Sequence, residues 1–169
     1  MDKKHFNNDN KSSADLMNNS HPSIQTISRA YFESINQTPT ELPAWYFCDN
    51  PKDADECADW VLSGDKRATA SSLWWLEHSG EPMPEVGDLN IVTNWAGIAQ
   101  CIIQTTQVEV RPYFEIDAGF AQLEGEGDKS LAYWRQVHWA YYHRELAIYG
   151  QRPTLDMPII CESFEVVYR

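Results

Sequence analysis

The chain has 169 residues, 43% apolar and 12% aromatic, with 7 Trp and 8 Tyr, which suffices for one buried core and excludes a disordered chain. A formal net charge of −12 excludes a protein that coats duplex DNA by neutralising phosphates, although a local group of cations still suits one nucleotide or a short single strand. No apolar run approaches the roughly 20 residues that cross a bilayer, and MDKKHFNNDNKSSADLMNNS lacks the apolar stretch of a secretory signal, so a cytoplasmic protein without a membrane partner is expected.

In chain order, residues 1–21 are rich in Asn, Ser, Lys and Asp and are expected to form a disordered tail, leaving 22–169 as a single domain. From Pro22, the residues Ile24, Ile27, Ala30, Tyr31 and Ile35 recur at helical spacing, an N-terminal helical extension that ends before Pro39. Three prolines make TPTELPAWYFCDNP an extended connection. DADECADWVLSG reads as a helix, with acids in its first turn, Cys57, Trp60 and Val61 on one face and Gly64 as its stop. ATASSLWWLEHSG reads as a second short helix, closed by Gly80, and EPMPEVGD as a turn-rich linker. DLNIVTNW and the β-branched GIAQCIIQTTQVEVRPY are expected strands. EIDAGFAQLE gives a short helix and EGEGD an acidic loop. The longest helix is SLAYWRQVHWAYYHRELAIYG, capped by Ser130 and stopped by Gly150, and PIICESFEVVYR closes the chain as a strand. Helices flanking a small, mainly antiparallel sheet make an α+β fold.

The chemistry-bearing residues fall in three places. Cys48, Cys57, Cys101 and Cys161 are far apart and form no C-x-x-C, which predicts separate, reduced, mostly buried thiols. His138 and His143, five apart, do not share a helix face. No metal and no cofactor is expected. On the long helix, Arg135, His138 and Glu145 lie within an aromatic arc that includes Trp134 and Trp139. Polar groups there either satisfy one another as a buried network or wall a pocket in which aromatics stack a base. In GDKRATASS, Lys66 and Arg67 precede the hydroxyls of Thr69, Ser71 and Ser72. That pattern fits an exposed helix start, and it equally fits a lysine three residues from a hydroxyl that it activates.

Four stretches in order, GDKRATAS, VGDLNIVT, EGEGDKSLAYWRQVHW and DMPIICESFEVVY, resemble the ASCH domain family, and most closely its longer bacterial branch. The resemblance spans about residues 45–169. It implies a PUA-like fold, a small bent β-barrel with flanking helices and a cleft beside the G-x-K-x-x-T segment, and a link to RNA binding and RNA metabolism. Some members hydrolyse single-stranded RNA or the acetyl amide of a modified cytidine. Carried onto this chain, the resemblance implies Lys66 as general base, Thr69 as nucleophile and Glu124 as the third catalytic residue, with Glu126 the alternative. RNA or a modified nucleoside is then the expected partner, with Arg67, Ser71, Trp74, Trp134, Arg135 and His138 as substrate-binding residues. A non-catalytic RNA-binding module would use the same cations and tryptophans without a carboxylate.

Overall fold

The computed structural model describes residues 21–169, so the expected tail, apart from His21, lies outside the described residues. Local signals set most helix ends. Helix α1 (Pro22–Ser34) begins with Pro at its first turn and a His21 ring that accepts from the Ser23 N–H. Strand β1 is the pair Ala44–Trp45. Helix α2 (Pro51–Ser63) is capped by Asn50 and ends at Gly64, whose φ of +85° only glycine adopts without strain.

The next segment departs from expectation. Ala68–Ser72 is strand β2, and only Leu73–Ser79 is helix α3. Alanine and serine have little preference for strands; pairing decides the matter, since all five residues of β2 register antiparallel against Ile159–Ser163. Strands β3 (Leu89–Thr93) and β4 (Ala99–Pro112) follow. After a 3₁₀ turn (Tyr113–Glu115) come helix α4 (Ala118–Glu124), helix α5 (Leu131–Ala147) and strand β5 (Pro158–Tyr168).

The five strands form one sheet in the order β1-β3-β4-β5-β2. Its pairings are antiparallel except β1 with β3. The fold is α+β as expected, but the sheet is not closed into a barrel: β1 and β2 are its two edges. Curvature comes instead from the register shifts at Ile102/Ile103 and Thr105/Gln107 in β4 and at Val92/Thr93 in β3.

Helix α5 covers the free edge of β2. It buries a single stripe at four-residue spacing, Trp134, His138, Tyr142 and Leu146. The Tyr142 hydroxyl donates to the Ala70 carbonyl, which satisfies an edge acceptor that would otherwise be open for strand addition. Ala68, Ala70, Ile159 and Cys161 of the sheet pack with α4 and α5 in one core cluster. A second cluster places Cys57 and Val61 of α2 against Phe47, Ile103 and Phe164. Lys66 lies between these two clusters, two residues ahead of β2.

A candidate charged site at the start of strand β2

The backbone around Lys66 is fixed from three sides. Its N–H donates to the Trp60 carbonyl in the last turn of α2, and the Arg67 N–H donates to Leu123 of α4. The third support is Gly125, between Glu124 and Glu126. Its φ is +70°, and a Cβ there would lie 2.0 Å from the Asp65 carbonyl oxygen, so only glycine lets these two loops touch. Lys129 adds an ion pair to Asp65 at 2.7 Å. The EGEGD loop, read from sequence as an acidic turn, is thereby clamped onto the GDKR loop.

The side chains converge. Lys66 Nζ lies 2.6 Å from Glu126 Oε1 and 3.5 Å from Glu124 Oε2, and 4.9 Å from the centre of the Phe47 ring. His138 Nε2 lies 3.3 Å from the same Glu124 oxygen, and its Nδ1 is 3.0 Å from the Trp134 carbonyl. Both histidine nitrogens therefore face acceptors, which favours the imidazolium. Lys66 and Glu124 are each 1% exposed, whereas the Glu126 side chain is 15% exposed and forms the outward edge of the group. Two cations balance two carboxylates.

The ionisation follows from that balance. Burial pulls the Lys66 pKa down, but the Glu126 and Glu124 carboxylates outweigh it and hold the amine protonated above its ordinary range. Burial would also lower His138, and Glu124 again reverses the shift to upward. Against the opposing effect of burial, Lys66 and His138 hold Glu124 down at about 2. Glu124 Oε1 and Trp134 Nε1 are both buried without a hydrogen-bond partner among the described residues. The indole is close enough to help hold the carboxylate ionised, but outside hydrogen-bond geometry. One ligand atom each from Glu124, Glu126 and His138 lie within 4.8 Å of one another, a set able to hold a divalent cation. The Lys66 ammonium supplies positive charge at that place.

Of the other sequence-predicted residues, Trp134 packs directly on this group, whereas Thr69, Ser71, Arg67, Arg135 and Trp74 make no side-chain hydrogen bond to it among the described residues. Thr69 is half-buried on β2, and because residues 68–72 are strand, three-residue spacing does not stack it over Lys66 as a helical turn would. No hydrogen bond joins the two among the described residues. Thr69 registers with Glu162 of β5, whose carboxylate accepts from Thr105 Oγ1 at 2.5 Å. Ser71 is half-buried two residues further on the same face, and Arg67 is exposed. Arg135 also points outward, its guanidinium 3.4 Å from the Ile116 carbonyl, rather than into the apolar arc. Trp134 is 2% exposed and stacks on His138 with ring centres 4.2 Å apart. Trp74 stacks on His78 at 3.7 Å beyond the far end of β2 and lines a surface cavity of about 240 Å³ with Leu146 and Met157. A second cavity of about 230 Å³ lies against Arg111, Phe120 and Cys161. Neither cavity reaches Lys66.

Sequence reasoning missed the partners of Cys57, and it named Glu145 without its ionisation. Cys57 donates to Glu126 Oε1 at 3.6 Å and also contacts Cys48, contrary to the expectation of four separate thiols. Glu145, two turns beyond His138 on α5, meets no cation among the described residues: burial raises its pKa to about 7 against the opposing effect of Ser72 and Tyr141, and among those residues Oε2 has no hydrogen-bond partner. Its position in the aromatic arc was the available signal.

The comparisons agree with this architecture. The ASCH domain family matches residues 43–168. The crystal structure of an ASCH domain from Lactobacillus crispatus is 39% identical, with a TM-score of 0.82, covering 88% of this chain and 96% of that one. The crystal structure of a protein from Enterococcus faecalis is 30% identical, with a TM-score of 0.80, covering 86% of this chain and 88% of that one. No curated protein matches the chain. No helix among the described residues is long and apolar enough to cross a membrane. The chain belongs to the ASCH domain family, a family linked to RNA binding.

Proposed function

We propose that the chain binds RNA or a modified nucleoside beside Lys66 and hydrolyses it, the scissile bond being an amide of a modified cytidine or a bond of single-stranded RNA. The observation that supports this most is the Lys66–Glu124–Glu126–His138 group. Burying Lys66, Glu124 and His138 is costly, and replacing a buried ion pair with apolar residues is often neutral or stabilising. Perturbed groups held this way are a physical pointer to chemistry.

Thr69 remains the candidate nucleophile and Glu124 the residue that positions Lys66. The role of Lys66 changes, because an ammonium has no lone pair and does not take the threonine proton. Its charge instead lies 2.6 Å from Glu126, and Glu126, the carboxylate with an open edge, is the proton acceptor. Arg67, exposed next to Lys66, is the phosphate contact in this scheme.

The test is turnover of acetylated cytidine and of short single-stranded RNA by the full chain, beside Glu126→Gln and Thr69→Ala. A positioned base contributes about 10²–10⁴-fold, and a loss of that size is expected in Glu126→Gln. Wild-type rates in both variants would overturn the assignment. Saturable RNA binding without turnover would make the protein a reader, with Arg67→Ala the variant that weakens it. Absence of both binding and turnover would remove the RNA-derived substrate altogether.

A further inference from the structure

We propose that Cys48 and Cys57 are a reversible disulfide-forming pair, joined through Glu126 to the charged site. They are nine residues apart in sequence, yet their sulfurs lie 3.7 Å apart. Two features bring them together. Cys48 has a left-handed backbone, φ +66°, uncommon for a residue with a Cβ, and this turns the chain just ahead of α2. The next residue, Asp49, is held against α5 by Nε and Nη2 of Arg144, at 2.8 and 3.0 Å. Cys57 then rises from the buried face of α2 to meet the turn.

The hydrogen bonds form a directed chain. The Glu126 carboxylate accepts from the Cys57 S–H, and it also accepts from Lys66 Nζ at 2.6 Å. With its own hydrogen committed to Glu126, the Cys57 sulfur accepts from Cys48. Cys48 is half-exposed, whereas Cys57 is 1% exposed. The pair therefore has the layout of an outer thiol that meets an oxidant and an inner thiol that resolves it. The contact with Cys48 and burial both push the Cys57 pKa up, which leaves the first attack to Cys48. Cys101 and Cys161 are buried, and neither contacts another thiol among the described residues.

With a hydroperoxide as oxidant, the Cys48 sulfur takes the terminal peroxide oxygen to give a sulfenic acid and releases water or an alcohol. The Cys57 sulfur then attacks the Cys48 sulfur. The S–S bond forms, the S–O bond breaks, and the Cys57 proton passes through Glu126 to the departing hydroxide as water. Two thiols lose two electrons and two protons, and the peroxide is reduced. A disulfide bond is about 2.0 Å long, so the sulfurs close by less than about 2 Å. Oxidation removes the S–H donor from Glu126 and leaves that carboxylate to Lys66 alone.

The test treats the full chain with about one equivalent of hydrogen peroxide, then unfolds it, alkylates the free thiols and maps the linked peptides. The expected result is a fall from 4 free thiols to 2, a Cys48–Cys57 link, and full recovery with dithiothreitol. Cys48→Ser, a change at the half-exposed partner, should leave Cys57 reduced at the same dose, with the fold checked by its thermal melt. The proposal is overturned if Cys48 stops at a single oxidised adduct while Cys57 stays free. It is equally overturned if links form to Cys101 or Cys161, or if all four thiols survive.

Discussion

Two carboxylates, one buried and one half-buried, behave in opposite ways. Glu124 is wholly buried and yet held ionised, because Lys66 and His138 lie within 3.5 Å of it. Glu145 lies two helical turns along α5 from His138, is less buried, and is pushed towards the neutral form by burial, which no cation among the described residues offsets. Depth alone would have ranked them the other way. Whether a buried acid is charged depends on its partner, and among the described residues the Lys66 end of strand β2 provides one while the Glu145 end does not. That makes the Lys66 end a preorganised charged site, and the Glu145 end a group that titrates near neutrality.

The largest expected effect comes from removing that partner. Lys66→Met should lower unfolding stability by about 3–5 kcal/mol at pH 7, the range for leaving a buried charge uncompensated. Urea titration measures it, and a loss below about 1 kcal/mol would mean that the carboxylates are not held by the lysine.

Acid should act next. The folded-state pKa of Glu124 is below its unfolded value, so its stabilisation is complete above about pH 4.5 and is lost as the pH falls towards 2. At 1.36 kcal/mol per pH unit the loss is roughly 3 kcal/mol, and Glu124→Gln should flatten that part of the stability curve. His138 has the opposite sign: its pKa is raised, so its contribution is present at acid pH and fades as the pH rises past the ordinary imidazole range.

Glu145 should show a smaller, inverted effect. Its folded pKa of about 7 exceeds the unfolded value near 4.5, so stability is lost between those two pH values and stays low above them. Glu145→Gln should therefore stabilise the protein by about 1–2 kcal/mol at pH 8 and by almost nothing at pH 4, with the figure discounted for partial exposure. Equal effects at both pH values would remove the contrast with Glu124. The smallest change belongs to the exposed Arg144–Asp49 pair, where Arg144→Ala should cost about 0.2–1 kcal/mol despite two short hydrogen bonds.

The helices were largely legible in the sequence because their ends carry local chemistry: Pro22, Asn50 with Pro51, Ser130, and the glycines at 64 and 80. Strand β2 was not, because ATASS is neutral by propensity and becomes a strand only through β5, nearly a hundred residues on. The site was legible in part. Family resemblance linked Lys66 to Glu124, and helical periodicity set His138 within an apolar stripe. The outward turn of Arg135 depends on which side of that stripe meets the sheet, and the meeting of Cys48 and Cys57 depends on one left-handed residue. Neither is encoded in spacing.

Held between two carboxylates, Lys66 works as a permanent cation, and a pH titration of its side chain decides whether it does. In protein labelled with ¹³C at lysine Cε, the Lys66 signal is assigned by its absence in Lys66→Met and followed through pH 10.4, the ordinary value for a free lysine. The Lys66 signal is expected to stay in its protonated position beyond that pH. A Lys66 transition at or below pH 10.4 would return the general-base role to the lysine.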